Sequence, residues 1–329
     1  MNRAALLLAD PSPSLRYLVL KNILEEENSK EAYDLKQQKD PLVKEITNLQ
    51  EANGSWDNKI QSTAQALLRL GYLQSEHPAI TKGVEYIYTQ QQPDGSWPLG
   101  NYSTDSEGET NYDVISLQTS IPLRALAQCG YATDKRSERA YEWLLKQRLS
   151  DGAWPTGIAK GNYGYVAGYR KLPHSRWGCR SNTTGALASL ALHPSRRKSG
   201  ESQRALQHLL GRETRERQSM GYEIARLIGA EKATGFLTYY ARFDLVQILD
   251  LCWRVEASRE DPKVADLVEY IQEQQGQYGL WIYQKRPRAS RWITYDILYS
   301  LRNLNDEVDW INIEPRTPFQ PYPKRRRRY

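Results

Sequence analysis

Apolar residues recur along this chain at the spacing of one helix face, and each such run ends in the same small signature. Val264, Leu267, Val268 and Ile271 follow the i, i+3, i+4, i+7 pattern. Leu42, Ile46 and Leu49 do likewise, as do Ile80, Val84 and Ile87, and Ala140, Trp143 and Leu144. Beyond each run stands a glutamine followed closely by Gly-x-Trp. The segments are Gln50 to Gly54-Ser-Trp56, Gln92 to Gly95-Ser-Trp97, Gln147 to Gly152-Ala-Trp154, and Gln275 to Gly279-Leu-Trp281. The glycine suits the left-handed position just past a helix end. The tryptophan is expected to fold back over the gap between neighbouring hairpins.

A second apolar helix is predicted after each triplet. Ala64, Leu67 and Leu68 lead to a stop at Gly71-Tyr72, and Ile121, Ala125 and Leu126 lead to one at Gly130-Tyr131. Further helices are predicted over 14–26, 183–192, 201–210, 243–255 and 293–303. Two-helix units copied in this way cover one another's apolar faces, so they stack. One unit is degenerate: Leu206-Gln-His-Leu-Leu-Gly211 has no tryptophan after it. The expected fold is a single all-α domain over 1–310, with a Pro-rich, basic tail over 311–329.

Connector lengths are uneven. The links near 71–79 and 130–136 are short, whereas 98–114, 155–182, 211–242 and 282–292 are long. Long insertions on one side of a repeat array build its binding face. Two of these links are basic, through Lys160, Arg170, Lys171, Arg176 and Arg180, and through Lys285, Arg286, Arg288 and Arg291. The 98–114 link is acidic, through Asp105, Glu107, Glu109 and Asp113.

Composition narrows the setting. Hydrophobic content of 40% and charged content of 26% are those of a globular domain. No apolar run approaches the ~20 residues of a membrane span. Three separated cysteines argue for a reducing compartment, so a cytoplasmic location is expected. Of the net charge of +6, five charges come from Lys324, Arg325, Arg326, Arg327 and Arg328. That cluster on a proline-rich tether would be drawn to an anionic membrane surface, as a peripheral attachment, with no sequence-specific nucleic acid implied.

The glutamine-to-tryptophan repeats resemble those of squalene–hopene cyclases and their relatives, a superfamily that includes protein prenyltransferase β subunits. The second half is similar to a bacterial squalene-cyclase-like group through Tyr239-Tyr-Ala-Arg-Phe-Asp244, Gly279-Leu-Trp281 and Ser290-Arg-Trp292-Ile-Thr294. The resemblance implies an (α/α)5-6 toroid of helical hairpins around a hollow middle, acting on or binding an isoprenoid or other apolar small molecule. Acid-initiated cyclisation or isomerisation is the implied chemistry. The superfamily's protonating Asp-x-Asp-Asp motif is absent here, so a non-catalytic toroid that binds a lipid, peptide or protein stands as the alternative. Asp250-Leu-Cys252 copies part of a prenyltransferase zinc motif, but every histidine precedes it. No metal or other cofactor is expected.

Protonating an alkene needs a carboxylic acid kept neutral by burial, with aromatic faces to steady the cation. Asp113, Asp244 and Asp296 lie near the predicted starts of the first helices of three units, at the long-loop end, where inner-ring helices would bring all three carboxylates to one mouth. They are the candidate acids, Asp244 foremost for its aromatic neighbours. Plain helix capping is the competing reading of all three. Tyr240, Trp177, Trp253, Trp292 and Tyr295 are the candidate lining. Arg170, Arg176, Arg288 and Arg291 would hold an anionic head.

Overall fold

Four tryptophans make the same clasp. The computed structural model describes residues 3–37, 40–98, 112–211, 218–233 and 235–304. In it the indole Nε1 groups of Trp56, Trp97, Trp154 and Trp281 donate to the carbonyls of Ile46, Ile87, Leu144 and Ile271, at 2.6–2.8 Å. Each of these carbonyls lies ten residues upstream, at or near the end of the preceding helix. The backbone N–H of each tryptophan donates to a threonine hydroxyl: Thr63, Thr119, Thr183 and Thr294, at 3.0–3.1 Å. Every one of those threonines sits at the start of the next helix. One buried aromatic side chain therefore ties the end of one helix to the beginning of another.

These clasps organise two rings. The outer helices are α4 (Pro41–Thr47), α6 (Ala79–Thr89), α8 (Lys135–Lys146), α10 (Gly200–Leu209) and α13 (Pro262–Glu273). They bury one stripe each, such as Val264, Leu267, Val268 and Ile271 of α13. The inner helices are α5 (Ile60–Tyr72), α7 (Ser116–Gln128), α9 (Arg180–Leu190), α12 (Leu245–Arg254) and α14 (Ser290–Asn303). Helix α7 is buried from Ser116 to Ala127 and α9 from Ser181 to Leu190, as helices enclosed on every side must be. The fold is an α/α toroid.

Segments that precede the first clasp close the ring. Helices α1 (Arg3–Leu8) and α2 (Pro13–Asn22) pack on α14, while α3 (Lys30–Gln37) backs α2. Asn22 Nδ2 donates to the Tyr295 hydroxyl at 2.6 Å, and Arg302 donates to the carbonyls of Asn22 and Ile23. Tyr72 at the end of α5 meets Trp292 of α14, their ring centroids 5.7 Å apart.

Four details of the repeat differ from the sequence reading. The glutamine of the second unit is Gln91 rather than Gln92: its Nε2 donates to Gly95 O and Arg136 O, as Gln50 donates to Gly54 O and Ala79 O. In the third unit the matching position, four before the glycine, holds Arg148 rather than Gln147. The glycines are left-handed, with φ of +74° to +101°, but they close a tight turn beyond the helix rather than forming its C′ position. At Gly95 a Cβ would come within 2.6 Å of Arg139 O. Gly71 is no stop either: it lies inside α5, where a Cβ would strike the Gln128 backbone at 2.8 Å.

The middle of the ring is not hollow. From the long connector before α12 a short helix, α11 (Tyr222–Leu227), turns inward and packs on α5 and α14. Its Ile224, Ala225 and Leu227 are buried. The acidic residues Asp105, Glu107 and Glu109, and the tail with Lys324 to Arg328, lie outside the described residues. No helix among the described residues is long and apolar enough to cross a membrane.

Candidate functional site

Helix α11 delivers charge to the centre. Glu223, on its first turn, is 1% exposed and pairs with Arg124 of α7 and with Arg226 one turn along α11. Arg124 also donates to the Tyr240 hydroxyl at 2.7 Å, and Arg226 to Tyr239 O at 2.5 Å. Burial raises the Glu223 carboxyl, but Arg226 and Arg124 more than offset that and hold it below its ordinary value. Two guanidiniums, one carboxylate and two tyrosine rings thus pack together where the resemblance implied open space.

Asp244 is built into the same junction. One carboxylate oxygen accepts from Gly221 N at 2.7 Å and Val246 N at 3.2 Å, the other from Glu223 N at 2.6 Å. It therefore caps α11 and α12 together, where the short parallel strands β3 (Gln218–Ser219) and β4 (Phe243–Asp244) meet. Burial pushes it up to about 6, against the pull of those N–H groups. Both of its oxygens are engaged within the fold.

Asp296 lies in the middle of α14 rather than near its start. It accepts a hydrogen bond from the Tyr72 hydroxyl. Burial pushes its carboxyl up to about 8, opposed by Tyr72 and reinforced by Asp250. Around it is a void of about 40 Å³, also lined by Arg124, Gln128, Gln247, Asp250 and Arg254. That is room for roughly one to three waters. Asp113 is exposed on its connector, and its carboxylate accepts from Lys160 N at 2.6 Å. The three acids expected to share one mouth are thus dispersed: one on the surface, one in a cap, one inside the ring.

A roomier cavity than the void around Asp296 lies between the N-terminal helix links and the connector that leads into α14. A groove of about 500 Å³ runs between the α1–α2 and α3–α4 links on one side and the segment 280–292 on the other. Pro11, Pro41, Leu42, Ile228, Leu280 and Ile282 supply its apolar walls, and Trp292 lies against it. Ile282 is 53% exposed, a large aliphatic side chain left uncovered. Asp40 shapes one wall by accepting from Ser12 Oγ, Ser14 N and Leu42 N, which caps α4 and ties it to α2. Arg288 donates to Gly229 O at 2.7 Å, and Arg291 reaches Ala9 O at 3.3 Å and Asp10 at 3.6 Å. Both guanidiniums are held along the groove by these contacts.

Of the predicted lining, the structure brings Trp292, Arg288 and Arg291 together here. Tyr240 belongs to the buried charge cluster instead. Trp253 packs edge-on against Tyr299, which stacks on Tyr295, and neither Trp253 nor Tyr295 lines the groove. Trp177, Arg170 and Arg176 stand on a separate lobe. Sequence reasoning missed Leu42, Ile228 and Ile282, which come from three distant segments, and the Glu223–Arg226 pair, whose i, i+3 spacing was the available signal. Among the described residues no group of three His, Cys, Asp or Glu side chains is placed to hold a metal ion.

Comparison with known proteins follows the same lines. The family described as the squalene-hopene cyclase C-terminal domain matches residues 9–169. A squalene–hopene cyclase of Zymomonas mobilis is 32% identical over 124 residues, which is 35% of this chain and 18% of that protein. The chain therefore spans less than a fifth of this curated relative. Among solved structures, ent-copalyl diphosphate synthase from Streptomyces platensis is 15% identical with a TM-score of 0.40, over 89% of this chain and 50% of that one. A type II terpene cyclase from Scytonema, in complex with geranylgeranyl dihydroxybenzoate, is 14% identical with a TM-score of 0.31, over 80% of this chain and 95% of that one.

Proposed function

We propose that this chain, which belongs to the squalene-cyclase-like superfamily, binds an apolar, isoprenoid-like molecule in the groove over Trp292 rather than inside its ring. The observation that carries the reading is the contrast between the ring's centre and this apolar groove. The centre offers about 40 Å³ among ion pairs, and the groove about 500 Å³ among prolines, leucines and isoleucines. Ligand pockets run from about 300 to 1,000 Å³. Each methylene buried there contributes about 0.8 kcal/mol of transfer free energy, whereas the centre would first have to lose its ion pairs. Arg288 and Arg291 suit a ligand with an anionic head. Titration with farnesyl and geranylgeranyl diphosphates, followed by tryptophan fluorescence, tests this. Saturable binding weakened at least tenfold by Ile282→Asp is expected. Unchanged affinity in that variant removes the groove from the account.

One observation favours a catalytic reading beside it. Asp296 stays protonated at neutral pH beside Tyr72, and Tyr72 in turn touches Trp292 on the groove side. A neutral carboxylic acid is the group that alkene protonation requires. Product analysis after the same incubation separates the two readings. Cyclised or isomerised product that disappears in a folded Asp296→Asn variant supports an enzyme. Binding without product supports a carrier.

A further inference from the structure

Residues 152–180 contain five cations and no aspartate or glutamate. They form a lobe pinned by the hairpin β1 (Ile158–Ala159) and β2 (Asn162–Tyr163), and by bonds from Thr156 N to Trp177 O and from Leu172 N to Gly178 O, both 3.0 Å. Arg180 is the lobe's root: half-buried, it donates to Ala241 O and lies over the Phe243 ring. The other four, Lys160, Arg170, Lys171 and Arg176, are exposed. No salt bridge joins any of these four to a carboxylate among the described residues. Two acids at its base are engaged: Asp113 accepts from Lys160 N and Asp151 from Ser175 Oγ. Between the cations Tyr163 and Tyr165 stand 36% and 65% exposed.

We infer that this lobe is a docking surface for an anionic lipid bilayer. Charge complementarity sets the sign of the partner, and the rings set its kind. Single strands of nucleic acid need open aromatic faces on which bases stack. Here the rings already pack on one another. Trp177 stacks on Tyr163 at 5.5 Å and lies under Arg176 at 5.6 Å, and Tyr165 meets Tyr169 edge-on at 4.5 Å. Tyr163 and Tyr165 stay partly exposed beside the cations, and amphipathic rings so placed suit the boundary between lipid headgroups and acyl chains. Each lysine or arginine near an anionic surface strengthens attachment by about fivefold. The inference does not depend on what the groove takes.

Cosedimentation of the full chain with phosphatidylcholine vesicles, with and without phosphatidylglycerol, tests it. Because Lys324 to Arg328 are also basic, the lobe variant Arg170→Glu/Arg176→Glu is compared with a variant in which those five tail residues are serine. Partitioning onto phosphatidylglycerol vesicles should fall at least tenfold in the lobe variant, with its thermal unfolding unchanged, and Tyr165→Ser should weaken it further. Binding that survives the lobe reversal, or that only the tail variant loses, overturns the proposal. So does a single-stranded oligonucleotide that binds the lobe more tightly than the vesicles.

Discussion

The clasped units and the unclasped one hold the toroid together by opposite means. At Trp56, Trp97, Trp154 and Trp281 the joint is one large apolar side chain with two neutral hydrogen bonds, its indole always reaching back ten residues. Between α10 and α12 there is no tryptophan. The chain instead runs inward through α11 and is fastened by Glu223, Arg124, Arg226 and Asp244. A neutral clasp loses little when taken out of water, because its two N–H groups are satisfied and the rest is hydrocarbon. A buried ionic joint is stable only while every partner is present. The repeat therefore tolerates being copied, while its exception fixes one arrangement and fills the space a ligand would need.

Removing the charge that both arginines share should have the largest effect. Glu223→Gln leaves Arg124 and Arg226 buried without a counter-charge, and a loss of about 3–5 kcal/mol is expected, read from urea unfolding. If the joint is ionic in this sense, replacing Arg124, Glu223 and Arg226 together by Met, Leu and Met should recover most of that loss. A triple variant no more stable than the single one would show that the arginines act through something other than their shared carboxylate.

Acid titration sharpens the same contrast, since the clasps carry no charge. Folding raises Asp244 to about 6 and Asp296 to about 8, from an unfolded value of about 3.9. Between these limits the unfolded chain has released protons that the folded chain keeps. Their contribution to stability is complete below about pH 4 and is lost as the pH rises. Between pH 6 and 8 Asp296 alone should cost about 1.4 kcal/mol per pH unit, roughly 2–3 kcal/mol in all. Relative to the parent, Asp296→Asn should flatten the curve there, and Asp244→Asn should flatten it between pH 4 and 6. Parallel curves for parent and Asp296→Asn would mean the carboxyl is not held neutral.

The same division decides what could be read from the sequence. The apolar spacing of α13, the Gly-x-Trp triplets and the missing fourth tryptophan are local patterns, and they carried the hairpins and their order. The threonine half of each clasp was not legible. Thr63, Thr119, Thr183 and Thr294 follow their tryptophans by 7, 22, 29 and 13 residues, because connector length varies between units. The centre was less legible still: Arg124 and Glu223 are 99 residues apart and nothing in either segment names the other. Asp244 among its aromatic neighbours reads equally as an acid or a cap until the N–H groups of Gly221 and Glu223 are placed beside it. The groove collects residues from four separate segments, so only Trp292 and its two arginines could be singled out beforehand.

A finer test lies within the clasp. Thr183→Val keeps the shape of the side chain but removes the acceptor for Trp154 N, 3.0 Å away and buried. Leaving that donor unsatisfied should cost about 1–3 kcal/mol. The same change at Thr119 or Thr294 should cost a similar amount if the four joints are equivalent. Widely different values, measured by chemical unfolding, would mean that the repeat is alike in geometry and unlike in energy.

The smallest expected effect concerns the one clasped unit that departs from its siblings. Gln50 and Gln91 each donate twice, to the glycine carbonyl of their own turn and to the start of the next outer helix, at Ala79 O and Arg136 O. Arg148 occupies that position in the third unit. Its guanidinium reaches the Glu201 carboxylate at the start of α10 only at 4.0 Å, with the Glu201 side chain 40% exposed. An exposed pair of that length contributes about 0–1 kcal/mol. A glutamine there has the reach to donate to Gly152 O and to the α10 backbone, and each such bond is worth about 0.5–1.5 kcal/mol. Arg148→Gln is therefore expected to stabilise the chain by a few tenths to about 1 kcal/mol, a small upward shift in urea midpoint. A loss instead would mean that the arginine stem, packed beside the turn, covers apolar surface that the shorter amide leaves open.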